Sequence, residues 1–241
     1  MKKSWIIAKR ELSVFFDSLI AYIIIVAFLG FTGFFTWLYG SNIFFIGQAS
    51  LETFFSIAYW TLFFFIPAIT MRMLAEEKRS GTIDLLLTKP VTDWQIVMGK
   101  FTSTIILILV TLVLTLPYYF TVWSLGPVDH GVVWSGYLGL VLMSAVYISI
   151  GLFASSFTSN QLVAFLLALL IGIFFHIIFE ILAQNTPGTL GDLFGYLNLS
   201  SHYDSISRGV IDTKDLIYFL SITFIGLVLA EFGLAKRNIV E

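Results

Sequence analysis

Long stretches of this chain contain no Asp, Glu, Lys or Arg, and their length decides the solvent in which it folds. Crossing about 30 Å of hydrocarbon takes about 20 apolar residues in a helix, and runs of that size recur. Leu19 to Tyr39 is 21 residues, Thr53 to Met71 is 19 and Phe101 to Leu125 is 25. Gly131 to Phe179 is 49 residues without a formal charge, too long for one helix. Its only polar cluster, Ser155-Ser156-Phe157-Thr158-Ser159-Asn160, marks a turn between two. Leu216 to Ala235 is interrupted only by Glu231. The prediction is a single all-α transmembrane domain over 1–241, with six spans at about 18–40, 53–75, 101–124, 132–154, 161–183 and 214–235.

Composition agrees. Hydrophobic residues make up 58% of the chain and charged ones 12%, whereas a water-facing surface carries about 25–35% charged residues. The absence of cysteine excludes a disulfide scaffold. Thirteen Lys and Arg against 15 Asp and Glu give a net charge of −2, which excludes a nucleic-acid binder. Long apolar runs also exclude a disordered chain, and no sizeable water-soluble domain fits between them.

Six spans put both ends on one side, and positive residues are retained in the cytoplasm. With the N-terminus inside, the inner segments hold Lys2, Lys3, Lys9, Arg10, Arg72, Lys78, Arg79, Lys89, Lys100, Lys236 and Arg237. Only Arg208 and Lys214 fall outside. The predicted topology is multi-pass, with both termini cytoplasmic. Lys2 to Asp17 is too charged, and the first apolar run too long, for a cleavable signal peptide. At 100° per residue Trp5, Ala8, Leu12, Phe15, Phe16 and Leu19 share one face, with Lys2, Lys3, Lys9, Arg10 and Asp17 away from it. Residues 1–17 therefore read as a helix lying in the inner membrane surface, the alternative being a plain basic flank that only sets topology.

The inner segment 76–100 has order of its own. The second helix can run on through Glu76, Glu77, Lys78 and Arg79 until Ser80-Gly81 offers a glycine stop. Thr82 is then a candidate N-cap for about two turns of surface helix, in which Ile83, Leu86 and Leu87 share a face and Pro90 ends propagation. Thr92-Asp93-Trp94-Gln95 has the form of a capping box that starts the helix leading into the third span. On pattern alone this is either a force-transmitting element or an ordinary amphipathic hairpin.

The run Glu76-Glu77-Lys78-Arg79-Ser80-Gly81-Thr82-Ile83-Asp84-Leu85-Leu86-Leu87-Thr88-Lys89-Pro90-Val91, followed by Gly99-Lys100, resembles the signature of ABC-2 type transporter permeases, with Asp84 where that family more often has Glu. The resemblance covers the whole chain in order. Within the family, His202 to Asp212 is most similar to the permease subunit of the gliding-motility-associated ABC transporter, with the nitrous-oxide-reductase maturation permease a close relative. It implies an ABC-2 (type V exporter-like) permease fold, with 1–17 as an elbow helix and the short helix near Thr82 as a coupling helix. It also implies an ABC ATPase partner carrying ATP and Mg, a second permease half, identical or different, and an accessory membrane subunit in addition. The ATPase-coupling residues it assigns are Glu76, Glu77, Arg79, Gly81, Thr82, Asp84, Leu86, Lys89 and Pro90. No cofactor or metal is expected on this chain. Independently, no phosphate-binding Gly-x-x-x-x-Gly-Lys-[Ser/Thr] loop is present, since Gly99-Lys100 is followed by Phe101 and Trp94 stands where the first glycine belongs.

A carboxylate inside a span costs about 2.5–3.5 kcal/mol at the bilayer centre and needs a reason. Glu180 lies four residues after His176 on the fifth span, and the pair reads either as part of a substrate path or as a local pairing near the outer interface. Glu231 lies close to Lys236 and Arg237, which explains it locally. Pro67 and Pro117 interrupt the second and third spans. Residues 184–213 are predicted to form an outer, re-entrant segment of short helices, because a solvated loop would not carry Leu193, Phe194, Tyr196, Leu197 and Leu199. The function expected is a non-catalytic membrane subunit of an ATP-driven exporter. The rivals are an integral-membrane enzyme, for which three His and no Cys supply few residues, and an ion-gradient-driven secondary transporter.

Overall fold

The computed structural model describes residues 2–39, 43–47, 49–82 and 90–235. The predicted coupling helix, near Thr82 to Thr88, falls outside the described residues from residue 83 on, as do Asp84, Leu86 and Lys89. Among the described residues six helices are long and apolar enough to cross a membrane: Ile20–Trp37, Glu52–Arg79, Asp93–Leu125, His130–Phe157, Gln161–Asn185 and Thr213–Ala235. They are called the first to sixth spans below. The surface helix is Lys2–Asp17, and the connection between the fifth and sixth spans holds two nine-residue helices, Thr189–Leu197 and Leu199–Ser207.

The fourth span is the mast of the bundle. Of its apolar window 72% is buried inside the chain, against 22% for the fifth span, and it packs against the second, third, fifth and sixth spans. Lipid is as apolar as leucine, so helices associate in a membrane by close packing rather than by escape from water. The fourth and sixth spans pack most extensively, and Gly226 makes this possible: a Cβ there would lie 2.5 Å from Ser149 Oγ. Many Ser and Thr hydroxyls within the spans are satisfied along their own helices. Thr32 donates to the Phe28 carbonyl at 2.7 Å, Thr111 to Leu107 at 2.8 Å, Ser144 to Leu140 at 2.6 Å and Thr223 to Phe219 at 2.7 Å.

Three spans are broken, each with an identifiable compensation. The second carries Pro67 within Glu52–Thr70, turns at Met71–Leu74 and resumes as Ala75–Arg79. Ser155 of the fourth span closes that break, its hydroxyl accepting from the Leu74 and Ala75 amides at 3.1 and 2.9 Å and donating to the Met71 carbonyl at 3.0 Å. The third breaks before Leu116, with Pro117 in the first turn of the new segment, where its missing amide is harmless. There Thr115 donates to the Leu112 carbonyl and is hydrogen-bonded to the Tyr137 hydroxyl at 2.9 Å. The fifth passes through one π turn, Phe174–Ile178, before ending as Phe179–Asn185.

One sequence expectation is corrected. The turn between the fourth and fifth spans occupies 158–160 only. Ser155 and Ser156 are helical and buried, because the broken second span needs their polar atoms. The surface helix turns part of its apolar stripe to the chain: Ala8 and Phe15 are buried together with Ile7, while Trp5 is left uncovered by the chain. The helix is rotated so that Ile7 meets Gly99 of the third span, where a Cβ would lie 2.6 Å from Ile7 Cγ2.

The helix Leu199–Ser207 is fastened to the sixth span by a buried pair. His202 Nδ1 lies 2.6 Å from Asp215 Oδ1, and Nε2 donates to the Tyr196 carbonyl at 3.0 Å. The Tyr218 ring stacks on the imidazole at 4.0 Å between centroids and its hydroxyl donates to the Leu197 carbonyl at 2.7 Å.

Because the contact at Gly226 leaves no room, Gly226→Ala should destabilise the protein by about 1–3 kcal/mol, the usual cost of overpacking. Gly30→Ala, with nothing within 4 Å of the new Cβ, should be neutral or stabilising. Thermal unfolding of detergent-solubilised protein, followed by size-exclusion fluorescence, checks the pair. Equal melting of the two variants would contradict the packing account.

Candidate functional site

One end of the bundle gathers charge. Helix Ala75–Arg79 starts at the Ser155-held break, and its side chains therefore leave at fixed angles: Glu77 turns toward the surface helix while Glu76 and Arg79 face outward. Asp93–Val113 opens on a complete capping box, with the Gln95 amide donating to Thr92 Oγ1 at 3.3 Å and the Thr92 amide donating to Gln95 Oε1 at 3.4 Å. This start sets Lys100 two turns in, beside Gly99, with the surface helix packed across it.

Lys100 is 1% exposed, a severe environment for an ammonium group. Its Nζ lies 2.8 Å from Glu77 Oε1 and 3.5 Å from Glu11 Oε1. Arg10 reaches Glu77 at 3.6 Å and Glu11 at 3.5 Å from the half-open side. Two cations thus balance two carboxylates, drawn from the surface helix, the end of the second span and the start of the third. Close by, the Arg72 guanidinium lies 5.7 Å from the centre of the Phe15 ring. Glu77 Oε2 is buried without a hydrogen-bond partner among the described residues. Lys78 turns the other way and donates to the Ser156 and Gly233 carbonyls, tying the segment to the fourth and sixth spans.

After Arg79 the helix stops as a glycine stop requires. Gly81 has φ +68°, in the left-handed region that β-branched residues avoid. Ser80 donates to the Glu76 carbonyl at 2.9 Å and is hydrogen-bonded to the Thr82 hydroxyl at 2.8 Å. At the other end of the segment, Lys3 donates to the Pro90 carbonyl. The surface helix therefore holds both sides of residues 83–89, at Glu77 through Arg10 and Glu11 with Lys100, and at Pro90 through Lys3. Glu76, Arg79, Gly81, Thr82 and Pro90 are exposed around this segment. Of the residues singled out for coupling, Glu77 alone among those described is turned inward. Glu11 and Lys100 were missed as partners for it; the available signal was a lysine eight residues into a helix begun by a capping box, beside a glycine.

The opposite end of the bundle holds a cavity of about 590 Å³ between the second span, the fifth span and helix Leu199–Ser207. His176 and Glu180 both line it. They do not pair: His176 Nδ1 is hydrogen-bonded to the Tyr59 hydroxyl, and Glu180 accepts from Gln184 at 3.4 Å. The π turn brings His176 among aromatic rings, 4.8 Å from Tyr59 and 4.7 Å from Trp60 between centroids. Asp204 lines the same cavity; burial holds its carboxyl above the ordinary range, Arg208 pulls it down and Glu180 pushes it further up. Among the described residues no three of His, Cys, Asp and Glu converge as a metal site.

Comparison with known proteins bears on both ends. Residues 5–232 match the sequence model of the ABC-2 family transporter proteins. The chain is similar to the probable multidrug ABC transporter permease YbhR of Escherichia coli strain K12 and to its counterpart in Escherichia coli O157:H7, each 29% identical over 152 residues. That stretch is 60% of this chain and 39% of each relative, so the similarity spans well under half of those longer proteins.

Removing one member of a buried ion pair leaves its partner uncompensated, at about 3–5 kcal/mol. Lys100→Met should therefore destabilise the protein by about that much, and adding Glu11→Gln and Glu77→Gln should restore most of the loss. Arg10→Ala, half exposed, should cost about 1 kcal/mol or less. Melting of the three variants in detergent distinguishes this network from independent surface charges, for which no restoration occurs.

Proposed function

Because the chain belongs to the ABC-2 family of transporter proteins, we propose that it is the transmembrane permease subunit of an ATP-binding cassette exporter, driven by a separate ATPase that docks on the segment between the second and third spans. The observation that carries this reading is the double hold of the surface helix on that segment, through buried Lys100 on one side and Pro90 on the other. A segment that transmits a push needs rigid supports, and its exposed rim of Glu76, Arg79, Gly81, Thr82 and Pro90 supplies the docking surface. Asp84, Leu86 and Lys89 complete that surface by resemblance to the family motif. ATP and Mg belong to the ATPase, and this chain is not itself a catalyst.

The charged end faces the cytoplasm, because eleven of 13 basic residues lie in the segments assigned there. Both termini are then cytoplasmic, in a bacterial inner membrane. The first and fifth spans, with 28% and 22% of their windows buried, leave apolar faces for lipid and for a second permease half, identical or different. An accessory membrane subunit is a further partner. Cargo passes His176 and Glu180 on the way out. The relatives are described as multidrug permeases, which supports a transport role. The likeness of His202 to Asp212 to gliding-motility permeases supports a place in gliding motility or an associated secretion step.

The test is gentle extraction of the tagged chain from its native membrane and identification of what accompanies it. An ABC ATPase should be recovered in comparable amount. In the Gly81→Val variant, where the new residue resists the left-handed turn, ATPase recovery and ATP-driven transport should fall at least about tenfold while membrane insertion is retained. Absence of any ATPase under several mild extractions would overturn the reading in favour of a gradient-driven carrier.

A further inference from the structure

The cavity opposite the charged end has a consistent chemistry. Its inner walls are aromatic: Phe55, Tyr59 and Tyr203 are each 4% exposed, and Trp60 closes one side with 41% of its surface open. Among the described residues that line it are three carboxylates, Glu52, Glu180 and Asp204, and one guanidinium, Arg208. None of the four takes part in an ion pair among the described residues, although Arg208 follows Asp204 by one helical turn. The carboxylates drawn into the fold elsewhere have partners, Glu77 and Glu11 in Lys100 and Arg10 and Asp215 in His202, whereas at this cavity Glu52 and Asp204 are exposed and Glu180 is half-buried. This leaves an excess of two negative charges beside π faces. A volume of about 590 Å³ falls within the range of small-molecule sites, about 300–1,000 Å³.

An anion would meet one guanidinium against three carboxylates. A small hydrophilic cation would gain from the carboxylates but would leave the aromatic walls unused. A cation with an apolar or aromatic body gains from both, since ring faces attract a positive charge and bury apolar surface together. We propose that this cavity binds hydrophobic organic cations, and that such cations are a class of cargo for the chain. The cargo assignment rests on the export reading above, whereas the binding assignment does not.

Tetraphenylphosphonium and tetraphenylborate are nearly identical in size and shape and opposite in charge, so their comparison isolates the electrostatic part of recognition. The full chain in lipid nanodiscs should bind tetraphenylphosphonium saturably, above the non-saturable partition into empty discs, and should show no saturable binding of tetraphenylborate. Glu180→Gln/Asp204→Asn should weaken cation binding at least about tenfold, as loss of two nearby carboxylates implies. Trp60→Ala should weaken it about threefold or more through loss of the ring face. Melting of each variant within a few degrees of the parent shows that the fold is intact; if the double variant melts early, Glu180→Gln alone replaces it. Equal saturable binding of both ions, no saturable binding of the cation, or unchanged affinity in the folded variants would overturn the proposal. Because the assay contains no ATPase, cation binding without ATPase recovery would sink the export reading and leave the site, while the reverse result would sink the site and leave the exporter.

Discussion

A buried ammonium group at the head of the third span organises the charged end of this protein. Desolvating Lys100 is tolerable only because Glu77 and Glu11 come to it, and they come from two different elements. The requirement therefore acts as a geometric constraint. The surface helix is drawn across the third span, Gly99 removes the side chain that would hold it off, and Ile7 drops into the space. The end of the second span is drawn to the same point, which places Gly81 and Thr82 on one side of the helix and Pro90 on the other. Replacing the cluster by apolar side chains could yield an equally stable packing, but it would lose the directional hold on one particular glutamate.

The same logic governs the breaks in the spans. A helix in hydrocarbon cannot leave amides or carbonyls unsatisfied, so each interruption must be met by a neighbour. Ser155 meets three backbone groups of the second span with a single hydroxyl, and Thr115 with Tyr137 meets the third. These contacts run to the fourth span, which is why it is the most buried of the six. Polarity within this bundle is mostly structural, and the outer cavity stands apart because its carboxylates are not consumed in that way.

Much of this was legible in the residues. Charge-free runs of about 20 residues admit one reading, and the Thr92 to Gln95 box and the stop at Gly81 rest on local chemistry that tertiary packing does not override. What was not legible follows from treating polar residues as solvent-facing. Ser155 and Ser156 read as a turn because a polar cluster inside an apolar run ordinarily is one, and here their polar atoms serve another helix. Glu11 was passed over because a projection of the surface helix assigns charge to water, whereas Lys100 supplies a buried partner from 89 residues away. His176 and Glu180 share a helical face and line one cavity, but the partner of His176 is Tyr59, 117 residues distant, and no local spacing reveals it.

The two ends are joined by the second span, which carries Glu77 at one and Phe55, Tyr59 and Trp60 at the other. Its break at Met71–Leu74 would absorb a displacement if it were free to flex, but the Ser155 hydroxyl fastens it to the fourth span. The second and fourth spans are therefore tied together at the break, and in the proposed exporter a push delivered at Glu77 would move them as one body. The fifth span packs against both as a separate helix, and the far side of the cavity, His176 and Glu180, belongs to it. A cavity with walls on two bodies changes shape when one moves past the other, and the hydrogen bond between Tyr59 and His176 spans the seam. In the proposed exporter, force applied between the second and third spans would reach the cargo site as a shear across that bond, with no need for the intervening helix to bend.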